Sequence, residues 1–361
     1  MNSKVISLTL CLLMLPVLQA AQIIKYVDPD AVGDNDGTTW ANAYTTLAHW
    51  ELDNAQDLTD NGGDYMTVYC RSSAGTADTA ACIISGFVTS ATCYVEVIGD
   101  DFPATGILDE TKYRRVIANT TSLSIYDNYV RIINLQFINT GAGFVNTRSI
   151  IIDNQIATNN EIRIIGCIIK GIMQDGINLS YGIGVNDVDS IVKIINCVIY
   201  GFKIPTKPSG YGVAANYGTT YCYNCTTWGN EGGLVAFFAV HLYTYNCASF
   251  DNTAGDITTG VNTTSDYAAT DDGVGTNEQD FTADATDWNK VFTSYTTGDA
   301  SLLNYTTSPC CVNTGTDDPG SGLYSDDITG RARTSPWDIG AFELEAVAPT
   351  GGGQLIMIQE F

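Results

Sequence analysis

VKIINCVIYGF, at Val192–Phe202, has four relatives in the same chain: VRIINLQFINTG from Val130, IRIIGCIIKGI from Ile162, TYCYNCTTWGN from Thr220 and LYTYNCASFDN from Leu242. Set in register, their sixth residues are Leu135, Cys167, Cys197, Cys225 and Cys247, at spacings of 32, 30, 28 and 22 residues. The units are β-branched and lack helical periodicity, so the repeat predicts a β-solenoid. Each unit is one coil and buries its apolar face by stacking on its neighbours. Equivalent positions then fall in columns about 4.8 Å apart. The sixth position is expected to be an inward column of small apolar side chains, four of them Cys. The fifth position is Asn134, Gly166, Asn196, Asn224 or Asn246. Asn and Gly tolerate the left-handed backbone that a sharp bend between two strands needs, and stacked Asn side chains can hydrogen-bond along their column.

The chain opens with a secretory signal pattern: Lys4, an uncharged apolar run from Val5 to Val17, and small residues at Ala20 and Ala21. Residues 1–20 are read as a signal peptide, which places the mature protein outside the cell or on its surface. No later stretch is long and apolar enough to span a membrane. The formal net charge is −24, and loss of Lys4 makes the mature chain one unit more negative. Nucleic acid and anionic membrane are therefore poor partners. Ten Cys remain once Cys11 leaves with the signal. Cys70, Cys82 and Cys93 lie before the repeat, and one disulfide between two of them is expected. A zinc site from Cys222, Cys225, His241 and Cys247 is the sharp alternative to the inward column.

The mature domain is read as residues 21–345. Residues 22–60 form an N-terminal cap, with a short amphipathic helix over Thr45–Gln56 carrying Leu47, Trp50, Leu52 and Ala55. Residues 61–255 are coils, and 256–345 are the last coils and a C-terminal cap. Residues 346–361 combine a Gly-rich linker with an apolar strand, QLIMIQEF. That strand (residues 354–361) is suited to docking on a sheet edge, of its own solenoid or of a partner.

Three further stretches carry a resemblance: YVDPDAVGDNDGTTWANAYTTL (26–47), GDASLLNYTTSPCCVNTG (298–315) and DITGRARTSPWDIGAFE (327–343). With the repeat they resemble the secreted right-handed parallel β-helix proteins of the pectin-lyase-like superfamily. More narrowly, they are similar to bacterial surface β-helix proteins that often carry an anchor domain. The resemblance implies an all-β, right-handed parallel β-helix with a capping helix and an irregular C-terminal cap. It supplies no inherited active site, because the histidine and WxDH-like signatures of β-helix hydrolases and pectate lyases are absent. Cys311 stands where those proteins usually have an aliphatic residue. In the closing motif Asp338 and Gly340 would make the last turn, with Arg331 or Arg333 paired to Asp327 or Glu343.

Side chains alternate along a strand, so outward positions stack into rows. One row runs Arg131, Arg163, Lys193, Tyr221, Tyr243; beyond the Asn bend another runs Ile138, Lys170, Tyr200, Trp228, Phe250. Cations pair with uronate carboxylates and flat rings stack on sugar faces. Arg131, Arg163, Lys193, Tyr221, Tyr243 and Trp228 are therefore the glycan-binding candidates, against a plain reading as cross-strand packing. If the protein is a polysaccharide lyase, Arg163, Lys170 and Lys193 are the candidates for the base. Asp153, Asp175, Asp187 and Asp189 are candidate Ca2+ ligands or turn caps, and Asp28, Asp30, Asp34 and Asp36 a weaker calcium loop. No cofactor is required by the binding reading; Ca2+ belongs to the lyase reading. The sequence thus supports a surface glycan-contacting β-helix first, a lyase second, and a fibre, adhesin or virion-associated scaffold third.

Overall fold

The computed structural model describes residues 21–344 apart from 61–62, 119, 142–145, 154–159, 239, 259–261, 274 and 283–287. The signal segment and the C-terminal strand expected at 354–361 lie outside the described residues. Each regular coil contributes one strand to each of three parallel sheets, as in Ser190–Ile195, Val198–Tyr200 and Gly210–Ala215. Among the described residues the first sheet has nine strands, from Gln22–Val27 to Thr263–Asp266, the second eight and the third six. All pairings within them are parallel and link each coil to the next. The fold is a right-handed parallel β-helix, the hand that parallel crossovers take.

The bend after the first sheet is as the repeat predicts. Asn134, Asn196, Asn224 and Asn246 have φ between 51° and 54°, and Gly166 has φ 61°. Gly166 is further constrained from outside: a Cβ there would sit 2.3 Å from Oδ1 of Asn134. Leu135, Cys167, Cys197, Cys225 and Cys247 all face the interior and are fully buried. Each late thiol ties its coil to the one before. Cys197 Sγ donates to the Ile164 carbonyl at 3.5 Å, Cys225 to Ile194 at 3.4 Å, and Cys247 to Cys222 at 3.4 Å. Burial pushes the Cys197 and Cys247 thiols well above their ordinary values, which disfavours the thiolate a metal requires.

Two cysteine expectations are corrected. All ten cysteines of the described residues are free, so no pair forms among Cys70, Cys82 and Cys93. The zinc alternative also fails. His241 is exposed while Cys222, Cys225 and Cys247 are buried, and no metal-holding group of three or more His, Cys, Asp or Glu exists among the described residues.

The capping helix spans Leu47–Asn54, with Thr46 as N-cap accepting from the His49 amide. Leu47 and Trp50 are buried and Trp50 stacks on Phe87 at 5.7 Å. Leu52, expected on the apolar face, is exposed. Asp78 fixes this end of the solenoid: it accepts from the Leu47 amide and the Tyr113 hydroxyl and pairs with buried Arg115.

Beyond the last irregular coil, the C-terminal segment does not simply close the end. It runs back along the side of the solenoid over the Asn bends. Asn246 exchanges two hydrogen bonds with the Thr316 backbone, Asn224 shares one with the Tyr324 hydroxyl at 3.1 Å, and Asn196 donates to the Asp326 carbonyl at 2.5 Å. The segment then doubles back through Arg333, which donates to Asn196 Oδ1 at 3.0 Å and pairs with Glu343 at 3.4 Å, both buried. These Asn side chains therefore hold the strap instead of one another. Beneath the strap lies a second core. The outer face of the second sheet (Ile168, Val198, Tyr200, Trp228, Ala248, Phe250) packs on Trp288, Phe292, Ile328, Ile339 and Phe342.

Candidate functional site

The row read from the first sheet is real. Arg163 lies between Arg131 and Lys193 in strand register, Lys193 pairs with Tyr221, and Tyr221 with Tyr243. All five are half-buried and outward. Tyr221 and Tyr243 stack at 4.8 Å with 13° between their planes. The cations do not stand alone, however. Glu161 binds both Arg163 and Lys193, and Glu96 binds Arg131 at 2.9 Å, whose guanidinium lies 3.5 Å from the Tyr94 ring centre. Burial pushes the Glu161 carboxyl up, but Lys193 and Arg163 outweigh it and hold it below its ordinary value. Both glutamates were legible: Glu161 is two residues before Arg163 on the same strand face, and Glu96 is the register neighbour of Arg131.

The second row is corrected. Trp228 faces outward from the second sheet yet is only 4% exposed, because the C-terminal strap covers it. It stacks between Tyr200 (4.5 Å) and Phe250 (6.0 Å) and cannot meet a sugar. Lys170 lies on that sheet too, in register with Ile138 and Tyr200. It is across the Asn bend from Arg163 and Lys193, so the three candidate bases do not share one face.

The calcium candidates are dispersed. Asp187 caps its own turn by accepting from the Asp189 amide at 3.4 Å, Asp175 is an exposed turn residue, and Asp153 lies on the third sheet's side. In the opening loop Asp28 is buried and binds Arg71 and Ser73, Asp30 accepts from Ser72 and Ala74, and Asp36 caps Thr38. These carboxylates close turns and do not converge on an ion.

A hollow lies elsewhere, on the outer face of the third sheet. It encloses about 420 Å³ between Tyr181, Tyr211, Phe237, Tyr217 and Phe238, with Asp153, Asn186 and Asn216 among its polar lining. Tyr181 and Tyr211 are strand neighbours with ring centres 5.9 Å apart, and Phe237 meets Tyr211 edge-on at 5.1 Å. At the turn leading back to the first sheet, Tyr217 and Phe238 stack at 5.5 Å and 9°. Tyr217 is 41% exposed and Phe238 76%. Phe238 also has φ 57°, a costly backbone state for a bulky side chain. Asn216 donates to Asn186 at 2.7 Å, leaving amide donors and acceptors along the hollow. Arg148 precedes Tyr181 in the same row and lies 5.8 Å from its ring. Burial raises the phenol pKa of both Tyr181 and Tyr211, so both remain hydroxyl donors at neutral pH.

Glycines follow the two strand tyrosines and stack tightly on the inner side of the same strands, where a Cβ on Gly182 would meet core Ile199 at 2.6 Å. A Cβ on Gly182 would come 2.5 Å from the Gly212 carbonyl, and one on Gly212 would come 2.7 Å from that of Gly233. The sequence signal was Tyr181-Gly182 and Tyr211-Gly212, recurring at the 30-residue spacing of Cys167 and Cys197. It lay outside the aligned repeat window and was missed.

No protein-family model matches the chain. No curated protein matches it either. Among solved structures it is similar to the crystal structure of pectate lyase Pel9A, at TM-score 0.35 and 14% identity over 90% of this chain and 97% of that one. A likeness that loose says nothing of activity. The class is defined by the strand topology itself: a parallel β-helix, here with an aromatic-lined cleft on its third sheet.

Proposed function

We propose that this protein is an exported β-helix that binds polysaccharide through the outer face of its coils, with the third-sheet cleft as the main contact. The observation that carries the reading is the cleft's composition. Five aromatic rings and paired amides line one hollow, and two of the rings are exposed on a strongly acidic protein. Aromatic rings offer apolar faces to sugar C–H groups, while Asn and Tyr side chains pair with hydroxyls. Ligand clefts typically combine such apolar walls with a few polar groups. Tyr221 and Tyr243 on the first sheet are a secondary contact in this reading, and Trp228 has no part in it.

The test is a glycan panel screened by calorimetry against the mature protein. A neutral glycan that binds the wild type should lose about tenfold or more in affinity with Tyr211→Ala and with Phe238→Ala, on the scale of one lost ring stack. Phe238 is so exposed that its replacement should leave the melting temperature unchanged or raised. Full affinity in both variants would remove the cleft from consideration.

A further inference from the structure

A second hollow, of about 350 Å³, lies on the first sheet between successive coils. It is lined by Ala91, Tyr129, Arg131, Glu161, Arg163 and Ile191. Tyr129 is held at φ 49°; left-handed backbone at a bulky residue is costly and clusters where a site must be shaped. Two guanidinium groups border the hollow, and neither is used up. Arg163 turns its Nε and Nη2 edge to Glu161, and Arg131 gives one nitrogen to Glu96. A guanidinium carries five N–H donors in a fixed fork, so donors remain on both. Among the described residues, the carboxylates that pair with Arg131, Arg163 and Lys193 are Glu96 and Glu161. One positive charge is left over, on a chain whose net charge is −24.

We infer that this hollow is a carboxylate subsite, separate from the aromatic cleft, that takes a uronic-acid residue of an acidic polysaccharide between Arg131 and Arg163. Glu161 is its internal competitor. It occupies the position an incoming carboxylate would take on Arg163, and it shares Lys193. A ligand carboxylate must therefore displace or share the Glu161 contacts, which sets affinity below what three free cations would give. Charge-assisted bidentate pairing explains why the site uses Arg on both walls. The inference goes beyond the aromatic cleft and does not depend on it, since the two hollows lie on different sheets.

The experiment titrates the mature protein with a uronic-acid oligosaccharide and with its carboxyl-reduced neutral counterpart. Expected is binding of the acidic form, weakened about tenfold by Arg163→Ala and by Arg131→Ala, the scale of a lost charge-assisted bond. Glu161→Gln should act in the opposite direction and tighten binding about threefold or more, by removing a like charge. That gain cannot come from misfolding, so it protects the test if an Arg variant is unstable. Tyr211→Ala should leave this binding intact, which separates failure of this site from failure of the aromatic cleft. The inference is overturned if the acidic oligosaccharide does not bind, if the neutral form binds as well, or if Glu161→Gln weakens binding or leaves it unchanged.

Discussion

Replacing Trp228 with Ala separates two accounts of the second sheet. Read from its row alone, Trp228 is a sugar platform, and its loss should cost affinity with little effect on stability. In the folded chain it is 4% exposed and sits between Tyr200 and Phe250 under the strap. A Trp side chain buries roughly 150–250 Å², worth ~4–6 kcal/mol at ~25 cal/mol per Å². Ala keeps part of that, the cavity relaxes in part, and measured Trp→Ala costs in cores fall at about 3–5 kcal/mol. Loss of the parallel stack on Tyr200, 4.5 Å away at 4°, belongs to that figure. The assay is guanidinium unfolding followed by circular dichroism, with glycan titration of the folded variant in parallel. The expected result is a destabilisation of about 3–5 kcal/mol with unchanged glycan affinity at saturating folded protein. Should the strap release before the coils melt, the loss will appear in an early transition that the wild type lacks. An unchanged midpoint together with weakened glycan binding would refute the covered second core.

Cys197→Asp should prevent folding, since it places an unpaired charge at a fully buried rung; alkylation of the wild type should label Cys167, Cys197, Cys225 and Cys247 as free thiols only after denaturation. Gly182→Ala should destabilise by about 1–3 kcal/mol, the cost of overpacking, because its Cβ would press on a backbone carbonyl 2.5 Å away; chemical denaturation measures it, and an unchanged midpoint would mean the coils are looser than described. Burial raises the Asp338 carboxyl from 3.8 to about 6, and burial with the neighbouring Asp271 raises that of Asp256 well above its ordinary value. Both groups bind protons more tightly folded than unfolded, so the stability they contribute is fully present below about pH 4 and is lost as pH rises, through about 6 for Asp338 and beyond it for Asp256. Asp338→Asn should flatten the lower part of that slope in melting temperature against pH; an unaltered slope would assign it to other groups.

Periodicity made the coil legible, and only the coil. The Asn bend and the Cys column recur at fixed places, so alignment alone set which residues face inward. The row Arg131, Arg163, Lys193, Tyr221, Tyr243 followed from strand alternation and holds. What alternation cannot show is what lies on top of an outward row. Trp228 and Tyr243 are both outward, yet one is covered by a segment about a hundred residues further along the chain that has no repeat of its own. Glu96 and Glu161 belong to a different kind of miss. They sat on the same face as the cations, but the basic residues were read as a series and their strand neighbours were not. The aromatic cleft escaped because only two coils share its spacing: Tyr181 and Tyr211 stand equally far after Gly166 and Asn196, whereas the loop of the next coil is shorter and brings Gly232 into register with Tyr211.

The backward course of the C-terminal strap has a consequence for order of synthesis. Coils contact only adjacent coils and can form one at a time as the chain emerges. The second sheet's outer wall cannot be finished that way. Tyr200, Trp228 and Phe250 wait bare until Trp288 through Phe342 have been made, and Arg333 reaches its place on Asn196 only after 137 further residues. A chain truncated shortly after Asp280 would hold every strand of the three sheets and still display an uncovered aromatic wall, the kind of surface that drives nascent chains together. Completion, not coil number, is what makes the molecule safe to release.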